Sequence, residues 1–226
     1  ATIRAPPTLA NTTGDKKLEI FFALENGTLY KLTSNGQLSW TYTVPEKYSN
    51  LLARNIRGNL AYIAVEDLDN DGTKEIIFVD GLETIRDWPG DLYILRDNGN
   101  SYTLITNISI GSNGGGFSAP AIADIDKNGD LEVVINEFYG VRVFDFSSSS
   151  ISQKCSFSAG KIGGSPVLYD VDNDRDYEVV STTHNCQCQV GTCSQKVILL
   201  NATSCSGDNS NAEIINAPDV NAVKMR

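Results

Sequence analysis

The chain has 226 residues, 18 Lys and Arg against 28 Asp and Glu, one histidine and a formal net charge of −10. That balance excludes a nucleic-acid backbone as ligand, since phosphate binding rests on excess Lys and Arg. No stretch reaches the apolar length of a membrane helix, and no signal-peptide pattern opens the chain. Ala1 suits a mature terminus left by signal removal and equally a cut within a longer chain.

In chain order, the elements repeat one unit four times. The first copy runs from Pro7 to Glu19, and this stretch aligns without gaps to Pro120 through Glu132. Strands are then expected at 28–32 and 37–43, separated by the Ser34-Asn35-Gly36 turn. The second copy predicts strands at 61–65, 76–79, 91–95 and 101–106, the third at 120–123, 133–135, 141–146 and 151–157, and the fourth at 166–169, 179–180, 196–200 and 212–215. β-Branched and aromatic residues fill these runs, and Asn, Gly and Ser separate them. No helical periodicity occurs. Four strands per 46 to 57 residues predict an all-β protein, a β-propeller of four-stranded antiparallel blades. The expectation is a single domain over 1–226 with repeats at about 5–44, 60–110, 117–158 and 163–216.

Between the first and second strands of three units lies an acidic loop with oxygen side chains at positions 1, 3, 5 and 9. These are Asp67, Asp69, Asp71 and Glu75, then Asp124, Asp126, Asn128 and Glu132, then Asp170, Asp172, Asp174 and Glu178. Position 7 (Thr73, Asp130 or Asp176) offers a backbone carbonyl. Six to eight oxygens at short range are what a hard cation such as calcium takes. The loop is not an EF-hand, which needs a bidentate Glu at position 12 and flanking helices, whereas Phe78, Ile135 and Ser181 stand there. The first copy, with Asn11, Thr13, Asp15 and Glu19, holds two carboxylates and is expected to bind calcium weakly or not at all. Position 6 needs φ > 0, which Gly72 and Gly129 supply and Arg175 does at a cost of about 1 kcal/mol.

This order of small strand, Asp-x-Asp-x-Asp-Gly-x-x-Glu and β-branched strand resembles the FG-GAP or VCBS-type repeats of integrin-α-like propellers, over roughly residues 5 to 215. The resemblance implies about three calcium sites with the ligands named above. It implies a secreted or cell-surface protein that uses its propeller as a binding platform for a protein or glycan ligand. Integrin-like propellers have seven blades, and four are visible here. Either the ring is small, or blades come from sequence beyond this stretch or from another chain.

The cysteines are Cys155, Cys186, Cys188, Cys193 and Cys205. The last four are read as disulfide candidates in an oxidising compartment with connectivity open, and Cys155 as the buried odd thiol of a strand. The alternative is a transition-metal site from His184, Cys186, Cys188 and Cys193, whose spacing matches no common zinc pattern. Otherwise His184 reads as a solvated loop residue. Sequons at Asn11, Asn26, Asn107 and Asn201 are compatible with a glycoprotein but no more numerous than chance provides. Long loops at 44–60, 80–90, 110–118 and 183–194 carry Tyr48, Arg86 and Trp88, residue types suited to partner binding, whereas Trp40 reads as packing.

Three functions compete. A non-catalytic extracellular binding or adhesion module is favoured. The alternative is a structural subunit of an extracellular filament or assembly, self-associating through its terminal strands. In that reading 1–6 or 217–226 pairs outside its own blade. A polysaccharide-acting enzyme ranks third, because no Ser/His/Asp set exists and most paired carboxylates sit in the loops.

Overall fold

The computed structural model describes residues 2–3, 5–45, 59–81, 90–110, 118–137, 139–147, 149–158, 162–171, 173, 175–187, 192–201 and 212–216. At 59–61, 81, 183–187, 192–196, 201 and 212–216 the description is of backbone alone. The strands form four antiparallel four-stranded sheets, each made of consecutive strands in chain order. The first holds β1 (Thr8–Ala10), β2 (Glu19–Leu24), β3 (Thr28–Leu32) and β4 (Leu38–Thr43). The second holds β5 (Asn59–Glu66), β6 (Glu75–Gly81), β7 (Asp91–Asp97) and β8 (Tyr102–Ser109). In the third are β9 (Ala121–Ala123), β10 (Glu132–Glu137), β11 (Gly140–Ser147) and β12 (Ser150–Ser158). The fourth comprises β13 (Ile162–Tyr169), β14 (Glu178–Gln187), β15 (Thr192–Asn201) and β16 (Ala212–Asn216). Among the described residues there is no helix, and none that could cross a membrane.

The sheets stack face to face in series, first on second, second on third, third on fourth. Strand alternation decides which side chain meets which neighbour. Phe21 and Ala23 of β2 pack with Ile76 and Phe78 of β6. Ile77 and Val79 of β6 pack with Val133 and Ile135 of β10. Val134 of β10 packs with Val179 of β14. The middle strands are therefore buried on both faces, as the runs Ile76-Ile77-Phe78-Val79 and Val133-Val134-Ile135 show. β2 alternates buried and half-buried instead.

Each junction adds something different. Between the first two sheets, Tyr42, Phe78 and Tyr93 form an aromatic cluster with Phe78 stacked on Tyr93 at 5.2 Å. Inside this junction Lys31 of β3, 1% exposed, is ion-paired with the buried Asp97 of β7. Its Nζ also donates to Gly99 O at 2.8 Å. The other Asp97 oxygen accepts from Trp40 Nε1 at 3.0 Å, so Trp40 is indeed a packing residue. The second and third sheets meet over apolar side chains. Between the third and fourth, the Asn136 amide donates to Gly164 O at 3.0 Å and to Ser181 Oγ at 2.9 Å.

Several expectations need correction. The supposed loop at 183–194 is largely strand, because β14 runs to Gln187 and β15 begins at Thr192. His184 is paired with Gln195 and Cys186 with Cys193, so His184 is not a loop residue. Cys155 is not an odd thiol. It is buried on the face toward the fourth sheet and disulfide-bonded. The chain's other four cysteines all lie in the last repeat, so this bond ties the third sheet to that repeat. The start of the chain stays with its own sheet, with Ile3 bridged to Leu24 and Thr2 O accepting from Glu25 N at 3.0 Å. Cys188, Cys205 and 217–226 lie outside the described residues.

A buried ion pair stripped of one partner leaves an uncompensated charge, so Lys31→Ala is expected to lower stability by about 3–5 kcal/mol. The double variant Lys31→Met/Asp97→Asn keeps an acceptor for Trp40 and is expected to lose less than the summed single changes. Denaturant unfolding of the cycle checks the coupling, and strict additivity would show that the two groups do not interact.

Candidate metal centre

The loops between first and second strands are built on one plan. The Glu at position 9 begins the second strand and is buried in all four copies: Glu19, Glu75, Glu132 and Glu178. One of its oxygens accepts the backbone N–H of position 2, from Thr12 at 2.8 Å, Leu68 at 2.9 Å, Ile125 at 2.6 Å and Val171 at 2.8 Å. The position-1 side chain accepts from an amide further along the loop. Asp67 takes Gly72 N at 2.9 Å, Asp124 takes Gly129 N at 3.1 Å and Asp170 takes Arg175 N at 3.0 Å. Position 5 accepts from the amide of position 7, as in Asp71 with Thr73 at 2.7 Å and Asn128 with Asp130 at 2.7 Å, a short-range Asx turn.

These bonds wind the backbone tightly, and φ is positive at positions 4 and 6 of every loop. Position 6 has Lys16 at 66°, Gly72 at 87°, Gly129 at 95° and Arg175 at 78°. Position 4 has Gly14 at 76°, Asn70 at 54°, Lys127 at 59° and Asn173 at 64°, a requirement the sequence reading missed. Asn is the usual non-Gly occupant of this region, which is the signal that two of these residues carried.

The winding brings the predicted oxygens together. Ligand atoms of Asp67, Asp69 and Asp71 lie within 4.8 Å of one another, as do those of Asp124, Asp126 and Glu132. Buried acidic oxygens without a hydrogen-bond partner sit in each of these loops and the next: Asp69 Oδ1, Asp124 Oδ1, Glu132 Oε1 and Asp170 Oδ1. A buried carboxylate oxygen left unpaired is costly, and a cation is its natural complement. Glu132 is 0% exposed, and its second oxygen faces the cluster. The first loop differs. Both Glu19 oxygens are satisfied by Thr12 and Thr13 hydroxyls, at 3.0 and 3.2 Å. Asp172 and Asp174 of the last loop, like Tyr48, Arg86 and Trp88, lie outside the described residues.

Sequence reasoning missed two basic residues that face the loops. Arg96 of β7 stands opposite Glu75 in the β6–β7 ladder. Its guanidinium reaches Asp69 at 2.6 Å, Asp71 at 3.2 Å and Glu75 Oε1 at 2.8 Å. Glu75 therefore has both oxygens engaged and does not join the Asp67 cluster, contrary to expectation. Lys154 is the extra residue of a bulge in β12, between Gln153 and Cys155. Bulges re-aim side chains, and its Nζ reaches Asp126 at 2.6 Å and Asp145 at 3.0 Å. Burial pushes the Glu75 and Glu132 carboxyls up from their ordinary value, and the Arg96 and Ile125 donors offset this only in part. Burial also acts against the Asp126 charge, but the Lys154 and Asn128 bonds outweigh it and hold this carboxyl low. The Thr73 amide holds Asp71 low.

The loops also touch sideways. Asn70 Nδ2 donates to Gly129 O at 3.2 Å, and Lys127 is ion-paired with Asp176. At the other end of the second sheet, Asp80 accepts from Asp91 N at 2.6 Å, and Tyr93 OH lies 3.4 Å from Asp80 and 3.3 Å from Asp91. Burial, reinforced by these carboxylates, raises Tyr93 strongly and Tyr42 to about 12.

With this geometry in hand, comparison with known proteins is informative. Residues 67–135, which hold the loops at Asp67 and Asp124, match the family model of the FG-GAP-like repeat. This segment is an FG-GAP-like repeat. No curated protein matches the sequence. Among solved structures, the V. cholerae biofilm matrix protein Bap1 superposes with a TM-score of 0.59 at 15% identity, covering 93% of this chain and 28% of that one. The C-terminal domain of Pseudomonas aeruginosa PilY1 gives 0.54 at 14%, covering 88% and 44%. The rhamnogalacturonan lyase YesW gives 0.53 at 11%, covering 95% and 49%. At these identities the likeness is one of fold, and this chain spans 28% to 49% of the three proteins.

Glu132→Ala leaves the buried Ile125 N–H without an acceptor and is expected to cost about 1–3 kcal/mol in chelator. Glu132→Gln keeps a carbonyl oxygen for that amide and is expected to cost far less. Urea unfolding of both variants checks this, and equal losses would show that the carboxylate does not anchor the loop.

Proposed function

We propose that the chain is a calcium-binding β-propeller segment serving as a non-catalytic binding or adhesion module outside the cell. The observation that carries the calcium reading is the set of buried carboxylate oxygens without a hydrogen bond converging in the loops, among them Glu132 Oε1, which has only the Lys154 ammonium at 3.7 Å. All-oxygen donors on a tightly wound loop suit a hard cation. Asp124, Asp126 and Glu132 would hold one ion, Asp67, Asp69 and Asp71 a second, and Asp170 with Glu178 and their loop a third. Each ion would neutralise crowded carboxylates and fix the hairpin. Support for the binding role comes from the fold shared with a biofilm matrix protein, and from the FG-GAP-like repeat itself. The likeness to a lyase is one of fold at 11% identity and motivates no catalytic residues here.

An ion that binds only the folded loop stabilises it by mass action. The melting temperature is expected to rise with calcium and fall with chelator. Asp124→Ala should remove part of that response and Asp15→Ala none of it. A melting temperature indifferent to both additions would overturn the calcium reading.

Arg96 already supplies a positive charge to the second loop. Arg96→Met is therefore expected to deepen that loop's need for calcium. The variant should melt below wild type in chelator and recover most of the difference when calcium is added, as read by differential scanning calorimetry. An equal deficit in both conditions would mean that Arg96 acts by packing alone.

A further inference from the structure

The second and third loops each gather four carboxylates and one basic residue, but the basic residue is held differently. Around the second loop stand Asp67, Asp69, Asp71 and Glu75, with Arg96 opposite Glu75 in the ladder. Around the third stand Asp124, Asp126 and Glu132, and the ladder position opposite Glu132 is taken by Asp145. The basic residue there is Lys154, which enters from β12 through its bulge.

Arg96 directs all three guanidinium nitrogens at its loop. Nη2 meets Asp69 at 2.6 Å, Nη1 meets Asp71 at 3.2 Å and Nε donates to Glu75 at 2.8 Å. Three of the four predicted ligands are thus neutralised by one planar fork, which suits carboxylates better than a point charge does. Among the described residues, every carboxylate that Arg96 pairs with belongs to this loop. A cation entering the second loop must therefore displace the guanidinium from all its partners. Lys154 is a point charge shared between Asp126 at 2.6 Å and Asp145 at 3.0 Å, with Glu132 at 3.7 Å. Asp145 lies on β11, outside the loop. Lys154 can release Asp126 and still keep a partner. The third loop also holds Asp124 Oδ1 and Glu132 Oε1 buried without a hydrogen bond, against Asp69 Oδ1 alone in the second. An ion fills missing bonds in the third loop and must break existing ones in the second.

We propose that these two basic residues rank the loops. The third is a tight calcium site, with Asp145 as the resting place of Lys154. The second is a weak site that Arg96 occupies as a tethered internal cation until calcium is high. The ranking rests on the calcium reading above and deepens it. Losing three charge-assisted contacts sets the second loop about tenfold or more below the third in affinity. The second repeat then keeps its shape when calcium is scarce, and the third is the one that responds.

Isothermal titration calorimetry of the calcium-free chain with calcium tests this. Wild type is expected to show a tight and a weak class of site. Asp124→Asn should remove a tight site and Asp67→Asn a weak one, since Asn keeps an oxygen for the Gly129 or Gly72 amide. Arg96→Met is expected to move one site from the weak class to the tight class. Arg96→Lys, which keeps the charge but not the fork, should give a site of intermediate affinity. Lys154→Met is expected to tighten the third site less than Arg96→Met tightens the second, because Asp145 already draws the lysine aside. The Asn and Lys variants test the ranking even where Arg96→Met fails to fold. Loss of a tight site in Asp67→Asn overturns the proposal. So does an unchanged second site in both Arg96 variants, and so does a larger gain from Lys154→Met. A wild type that binds no calcium overturns the calcium reading itself, whereas binding in one undivided class overturns only the ranking.

Discussion

One buried carboxylate holds each repeat in shape. The Glu at the start of every second strand stands where loop, hairpin and sheet junction meet, and its hydrogen bond to the position-2 amide closes the loop behind it. The middle sheets need this anchor because they are apolar on both faces. A strand with one polar and one apolar face resists a one-residue slip, since the slip would expose its core. β6 and β10 have no such protection. A charged group at a fixed position restores it, because displacement by one residue would drive that carboxylate into the apolar junction.

The same anchor explains why the fourfold plan tolerates different loop chemistry. In the first copy, threonine hydroxyls satisfy Glu19 and the loop is complete with neutral donors. In the second, a guanidinium fills that role for Glu75. In the third, Lys154 comes no closer to Glu132 than 3.7 Å, and an oxygen is left over. The hairpin is thus conserved in geometry while its appetite for a cation varies from copy to copy.

Much of the architecture was legible in the sequence because it rests on local and repeated signals. Strand alternation, turn residues and the spacing of the acidic loops fixed the element types, and the need for positive φ at position 6 held even where Lys16 and Arg175 stand. What stayed hidden depends on registry between strands or sheets. Lys31 sits in an ordinary alternating strand, and nothing local tells that its face is the one covered by Asp97. Arg96 becomes visible only once β7 is laid against β6, and Lys154 only once the bulge in β12 is known. The cysteine reading failed for a similar reason: Cys155 lies far in sequence from the cluster that holds its partner, so proximity along the chain pointed to the wrong odd residue.

The disulfide at Cys155 also bears on how the molecule comes apart. In a stack whose members touch only their neighbours, separation starts at the weakest seam rather than throughout. The seam between the first and second sheets is riveted by a buried ion pair and an aromatic cluster. The third sheet is covalently tied to the last repeat. The seam between the second and third sheets rests on apolar packing and on the Asn70–Gly129 contact between their loops. Under reducing conditions the last repeat loses that covalent tether and is held to the third sheet by its apolar cluster and the Asn136 hydrogen bonds.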